Sequence, residues 1–131
     1  LALADYITIH LPLNENTIHF ISKIEFNFMK NNSILVNTSR GGIINEEDLY
    51  KALKSRLIKA AGMDVFETEP PSSDHPFFNL DNILLTPHNA ALTLECRRRM
   101  ALEASENIAY YLKNASKLNK DNLVNKSFLK D

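Results

Sequence analysis

Residues 33–65 read SILVNTSRGGIINEEDLYKALKSRLIKAAGMDV, and this stretch decides the fold. Ser33–Thr38 is a short apolar, β-rich run, the composition of a strand, and Gly41-Gly42 ends it. Asn45 stands where a helix N-cap belongs. Glu46, Glu47 and Asp48 follow it, acids that the positive end of a helix dipole favours. Leu49, Ala52 and Leu53 form the helix's buried stripe, with Lys51, Lys54 and Arg56 near its negative end. Ala60–Val65 is the next strand, small and apolar on both faces, as a strand covered by helices has to be. Strand, helix and strand in this span require parallel pairing through a right-handed crossover.

The same alternation extends outward. Upstream, Tyr6–His10 is β-branched and aromatic and is closed by Pro12, which reads as a strand. Ser22–Lys30 carries Ile24, Phe28 and Met29 at helical spacing, with Ser22 and Glu25 placed as a capping box. Downstream, Pro70-Pro71-Ser72-Ser73 breaks into a loop, and Ile83–Thr86 is a fourth strand stopped by Pro87. Leu94–Lys113 is a long helix in which Cys96, Met100, Ala104, Ile108 and Leu112 recur every four residues. From Asn114 the chain is polar and lysine-rich, a tail expected to be loosely held except around Leu123 and Val124. The fold class is α/β, a partial doubly wound, Rossmann-like parallel sheet of about four strands with flanking helices.

Composition excludes several functions. The 131 residues suffice for one domain, and 44% hydrophobic with 24% charged residues is ordinary globular usage. Fifteen basic against sixteen acidic residues leave a net charge of −1, which gives no pull towards nucleic acid or an anionic membrane. Cys96 is the single cysteine, so neither an internal disulfide nor a cysteine metal cluster is available, and a reducing, cytoplasmic setting is expected. No apolar run approaches the roughly 20 residues that span a bilayer. Cys96 is read as a small buried apolar group, and His19 and His75 as surface residues. Arg97-Arg98-Arg99 is read as a solvated face, and Met100, Tyr110 and Tyr111 as core or subunit packing.

In open parallel sheets ligands bind outside the carboxyl ends of the strands. That edge gathers His10-Leu11-Pro12, Thr38-Ser39-Arg40, Asp64 with Glu69 beyond it, and Pro87-His88-Asn89. A guanidinium holds a carboxylate by two parallel hydrogen bonds. An imidazole exchanges a proton near neutrality, and a carboxylate beside it fixes its tautomer and favours its charged form. The set suits a small acid bearing a reacting C–OH or C=O group.

Three strings carry a family resemblance: Leu35-Val-Asn-Thr-Ser-Arg-Gly-Gly42, Asp64-Val-Phe-Glu-Thr-Glu-Pro70 and Leu85-Thr-Pro-His-Asn-Ala90. With Ala4-Asp-Tyr-Ile-Thr-Ile-His-Leu-Pro-Leu13 and Thr17, they resemble the D-isomer-specific 2-hydroxy-acid dehydrogenases, from about Ala4 to Leu112. The resemblance implies an NAD- or NADP-dependent enzyme moving a hydride between a nicotinamide and a D-2-hydroxy acid or 2-oxo acid. It makes Arg40 the group that binds the substrate carboxylate, His88 the acid/base and Glu69 its carboxylate partner. Asp64 would touch the nicotinamide carboxamide. His10, Leu11, Pro12, Thr38 and Ser39 would line the cofactor cleft together with Arg40 and His88. No metal is implied, and the complete protein would be a homodimer.

In that family a G-x-G-x-x-G loop, the ribose-binding acid and most of the substrate domain precede this segment. The only glycines here are Gly41, Gly42 and Gly62, so no such loop lies within the 131 residues. Residues 1–113 are therefore expected to be the second half of a dinucleotide-binding domain plus the helix leading back to a substrate domain, with 114–131 a polar tail. On that reading the chain alone is inactive and Tyr6–His10 is an unpaired edge open to self-association. Two alternatives use the same residues: an inactive remnant or half-domain that needs a partner chain, and a corepressor-like NAD-sensing binding protein. Asn89-Ala-Ala-Leu stands where many family members have an aliphatic residue and glycines, a departure in the turn facing the cofactor.

Overall fold

Tyr6–Ile9 (β1), Ile34–Asn37 (β2), Ala60–Met63 (β3) and Ile83–Leu85 (β4) form one parallel sheet in the order β1-β2-β3-β4. The computed structural model describes residues 1–113 and Val124. The tail expectation, Leu123 included, falls outside the described residues except at Val124, which is fully exposed where it was expected to be held. The chain divides into two units, Leu1–Ala90 and Ala91–Asp131.

In the first unit, register places Ile34 beside both Tyr6 and Ala60, and Gly62 beside Val36 and Leu84. Each strand is one or two residues shorter than its sequence reading. β1 pairs on one side only and is an edge, as expected. Lys23–Asn27 (α1) connects β1 to β2, and Glu46–Lys54 (α2) connects β2 to β3. The link from β3 to β4 carries a single 3₁₀ turn, Pro76–Asn79, in place of a helix.

The second helix follows its sequence. The Asn45 side chain accepts the Asp48 N–H at 2.9 Å, and Leu49, Ala52 and Leu53 are all buried. Each leucine side chain contributes about 1.5–3 kcal/mol of burial. The helix ends in a Schellman pair, Leu57 N–H to Ala52 O at 2.9 Å and Arg56 N–H to Leu53 O at 3.1 Å. Arg56 occupies the left-handed position usual for glycine (φ +57°), and its guanidinium clasps both oxygens of Asp81 at 2.7 and 2.8 Å.

The first helix departs from its sequence reading. It is five residues long, and Phe26 and Met29 are buried while Ile24 and Phe28 are 64% and 61% exposed. So short a helix has one core-facing side, and Phe26 takes it. The expected capping box of Ser22 and Glu25 is present, and Glu25 Oε2 accepts from the Ser22 N–H and from its hydroxyl. The core joins Phe26, Leu35, Ile43, Leu49, Leu53 and Ile58 to Met63 and Phe77.

Leu94–Lys113 (α3) lies in the second unit and has the bounds the sequence implies. None of its residues is buried, so Met100, Tyr110 and Tyr111 are not core, and Arg97, Arg98 and Arg99 are exposed as expected. Cys96 is half-buried, with its Sγ 3.8 Å from Met100 Sδ one turn on, where a buried position was expected. A helix with no packing neighbour in its own unit, among the described residues, cannot bury a stripe that recurs every four residues. No described helix is long and apolar enough to cross a membrane.

Candidate active site

The carboxyl ends of β2, β3 and β4 are stitched together by backbone bonds. Asp64 N–H donates to Asn37 O and Thr86 N–H to Met63 O, each at 3.0 Å. The segments carrying Arg40, Glu69 and His88 leave the sheet from this edge.

Asn37 closes β2 and is fully buried. Its Oδ1 accepts the Ser39 N–H at 3.0 Å and the Ser39 hydroxyl at 2.8 Å, while its Nδ2 donates to Arg40 O at 3.0 Å. One buried amide thus shapes the Thr38-Ser39-Arg40 turn. Arg40 itself is exposed, with Nη1 donating to Ser39 O at 2.6 Å. No carboxylate pairs with it among the described residues.

Gly41 follows because the chain passes against Phe66: a Cβ there would lie 1.8 Å from Phe66 O. Gly42 has φ +78° and rests near Leu13. That contact brings the His10-Leu11-Pro12 turn alongside the arginine turn. Thr17 fixes the former, its hydroxyl donating to Pro12 O at 2.6 Å and accepting the Asn14 N–H at 2.8 Å. His10 is exposed, with Nε2 2.8 Å from the Thr8 hydroxyl.

Asp64 is 2% exposed and organises the turn after β4. Oδ1 accepts from the Thr86 hydroxyl at 2.5 Å and from Asn89 N–H at 2.9 Å, and Oδ2 accepts from Ala90 N–H at 2.8 Å. Burial pushes this carboxyl up. The bonds from Thr86, Ala90 and Asn89, with the nearby His88, outweigh it and hold the group below the ordinary aspartate range. Between Thr86 and Asn89, His88 sits in the left-handed region (φ +53°), a conformation unfavourable for a side chain bearing a Cβ. Asp64 holds the Thr86 side chain before it and the Asn89 and Ala90 backbone after it.

His88 Nδ1 lies 2.8 Å from Glu69 Oε2, and Glu69 Oε1 accepts the Phe66 N–H at 3.0 Å. The hydrogen bond from His88, then that from Phe66, lowers the Glu69 carboxyl below its usual range. With Nδ1 committed to the carboxylate, Nε2 is the nitrogen left for a ligand. A cleft of about 370 Å³ opens beside the pair, lined by Phe66, Glu69, Pro70, Pro71, Pro87 and His88. The Glu69–Pro70 peptide is cis.

The sequence-derived residues therefore occupy one sheet edge, with Glu69 and His88 in direct contact. Reading the sequence missed Asn37 and Thr86, which shape the site without facing a ligand. The signal was there: a buried strand end rarely carries an amide or a hydroxyl without a bonding task. His75 is a correction. Its side chain is 16% exposed, bonds Glu46 and packs edge-on to Phe66 and Phe77 at centroid distances of 5.5 and 4.7 Å, so it is no surface residue. His19 is exposed as expected and lies 3.3 Å from Glu67. No cluster of His, Cys, Asp and Glu fit to hold a metal occurs among the described residues.

Asp64→Asn tests the carboxylate's hold on the turn. An amide there sets N–H against N–H at Ala90 or Asn89, and a loss of about 1.5–3 kcal/mol is expected near neutral pH. Because the folded carboxyl lies below its unfolded value of about 3.9, its contribution is present above that value and disappears as pH falls through the folded one. Urea melts of both proteins at descending pH should converge in acid. A gap that stays constant to the lowest pH would contradict this account.

Residues 1–90 match the family model of the D-isomer specific 2-hydroxyacid dehydrogenase NAD binding domain. A glyoxylate reductase of Korarchaeum cryptofilum is 42% identical over 127 residues, 97% of this chain and 37% of that protein. A D-3-phosphoglycerate dehydrogenase of Archaeoglobus fulgidus is 43% identical over 94% of this chain and 23% of its own length. Among solved structures, a glyoxylate reductase from Paecilomyes thermophila superposes with a TM-score of 0.80 at 33% identity, over 88% of this chain and 35% of that one. An acyclic imino acid reductase (Bsp5) in complex with NADPH and D-Arg gives 0.81 at 35% identity, over 90% and 37%. The chain thus spans well under half the length of the relatives it matches.

Proposed function

Since this chain belongs to the D-isomer-specific 2-hydroxyacid dehydrogenase family, we propose that it supplies the proton-transfer half of a dehydrogenase site in a longer protein. The substrate is a small 2-oxo or 2-hydroxy acid. The observation that carries the reading is the 2.8 Å contact of His88 Nδ1 with Glu69 Oε2 beside an open cleft at the ligand edge.

The donor set at this edge fits the nicotinamide end of a dinucleotide. Thr38 and Ser39 are half-buried polar groups at the end of β2, and Asp64 Oδ2, bonded among the described residues to Ala90 alone, keeps a lone pair for a carboxamide N–H. His10, Leu11 and Pro12 form the far wall. The phosphate end needs backbone N–H groups of a glycine-rich turn outside these 131 residues. Bound NAD or NADP supplies the chemistry of hydride transfer at the substrate's C2.

Every other task falls to this chain. The Arg40 guanidinium binds the substrate carboxylate and orients the carbonyl. In reduction His88 Nε2–H donates its proton to the carbonyl oxygen; in oxidation neutral Nε2 takes the proton from the hydroxyl. Glu69 keeps Nδ1–H as the donor to itself, so Nε2 always faces the reaction, and its negative charge stabilises the imidazolium. Bonds from Asp64 to the N–H groups of Asn89 and Ala90 keep the ring from drifting. The complete protein would act as a homodimer.

Arg40→Ala in the complete protein tests the substrate half. Because the arginine side chain is exposed and its bond to the fold is a local one to Ser39 O, a rise in KM for a 2-oxo acid of about 10²-fold is expected, from the loss of a charge-assisted pair with substrate. The melting temperature should hold. Unchanged kinetics across glyoxylate, hydroxypyruvate and pyruvate would remove Arg40 from the site.

A further inference from the structure

Glu46 is an acid in the first turn of α2, yet its side chain is only 13% exposed. An acid serving the helix dipole alone has no need of burial. Its contacts run to another segment. Glu46 Oε1 accepts the Glu67 N–H at 2.8 Å, and in return the Glu46 N–H donates to Glu67 Oε1 at 3.0 Å. The two glutamates therefore hold each other's backbone, 21 residues apart. Glu46 Oε2 faces His75 Nε2 at 3.2 Å. His75 Nδ1 accepts the Phe77 N–H, which leaves the proton on Nε2 and makes that nitrogen the donor to Glu46.

The 66–67 peptide held by this lock adjoins, across the Phe66 Cα, the 65–66 peptide whose N–H sets Glu69. Phe66 N–H, one residue before the locked Glu67 N–H, donates to Glu69 Oε1, and Glu69 Oε2 meets His88. On its other side Phe66 O is pressed against Gly41. We infer that Glu46 is a positioning residue for the His88–Glu69 pair, acting by fixing the 66–67 peptide and, through Phe66, the adjoining N–H that aims Glu69. The inference rests on the proposed site only for its purpose; the coupling itself is structural.

The discriminating variant is Glu46→Asp. It keeps the negative charge at the start of α2, so a dipole role survives, but the shorter side chain draws the carboxylate away from Glu67 and His75. Glu46→Ala removes both roles, and Glu47→Gln removes an exposed first-turn charge paired only with Lys51. The readout is solvent exchange of the His88 Nδ1 proton by NMR in the complete protein, with thermal melts alongside. Exchange about tenfold faster is expected in Glu46→Asp and Glu46→Ala, the loss of one hydrogen bond's hold, with Glu47→Gln unchanged. Wild-type exchange in Glu46→Asp overturns the proposal, whatever the alanine variant does, and so does faster exchange in all three. If the alanine variant does not fold, the aspartate result decides alone. Turnover is not read, so absence of dehydrogenase activity leaves the lock untouched, and failure of the lock leaves the dehydrogenase reading standing.

Discussion

His88→Ala in the complete protein is expected to lower kcat by about 10²–10⁴-fold, the ordinary worth of a general acid, while the dissociation constant for the nicotinamide cofactor changes little. The imidazole is exposed beside an open cleft and carries no part of the core, so its loss should not unfold the domain. Alanine keeps the Cβ, so the substitution leaves the backbone demand of φ +53° in place. The turn stays in place through the Asp64 bonds to Asn89 and Ala90, which involve backbone N–H groups and not the ring. Cofactor titration by nicotinamide fluorescence and single-turnover hydride transfer would separate binding from chemistry. Turnover within a few-fold of the parent would eliminate His88 as the proton donor.

The Glu69 carboxyl bears on the same experiment. The His88 hydrogen bond, with help from Phe66 N–H, holds it below the ordinary glutamate range, so it stays ionised to lower pH than a free side chain. Acid therefore disrupts the pair only below that range. Any activity limb at higher pH must report another group.

The sheet was legible because its signals are local. Apolar β-branched runs such as Ile34-Leu-Val and Ile83-Leu-Leu announce strands, and Asn45 followed by three acids announces a helix start. The site was legible for a different reason. Parallel pairing forces all strand ends to one edge, so order along the chain placed Arg40, Asp64 and His88 together before any coordinates. What stayed hidden depends on contacts distant in sequence. Nothing near Glu46 says that its carboxylate reaches Glu67 and His75 rather than water. Phe26 and Ile24 are equally apolar, and only the short first helix, with room for one buried face, chooses between them. His75 looked like a surface residue because its aromatic surroundings come from Phe66 and from Phe77 folded back beside it.

Gly41→Ala should be the most damaging of the three glycine-to-alanine substitutions. A methyl group there would sit 1.8 Å from Phe66 O, 2.2 Å from Phe66 C and 2.8 Å from Glu67 N. All three are backbone atoms, which cannot rotate aside as a side-chain tip can. The 66–67 peptide must move, and Glu46 holds it from the other side through Glu67 N–H. A loss of at least about 3 kcal/mol is expected, at the upper end of what overpacking costs. The neighbouring glycines provide the scale. At Gly62 a Cβ meets only Val36 methyls at 3.7 and 3.8 Å, so Gly62→Ala should stay within about 1 kcal/mol. Gly42→Ala meets only Leu13 methyls at 3.7 and 3.8 Å and costs about 1 kcal/mol through its φ of +78°. Denaturant melts of the three variants should therefore rank Gly41 far below the other two. If Gly41→Ala melts with them, the close approach of the two turns is not the feature that fixes this edge. If it folds but is weakened, the shift of Phe66 N–H should loosen Glu69 from His88, and turnover in the complete protein should fall more than stability alone explains.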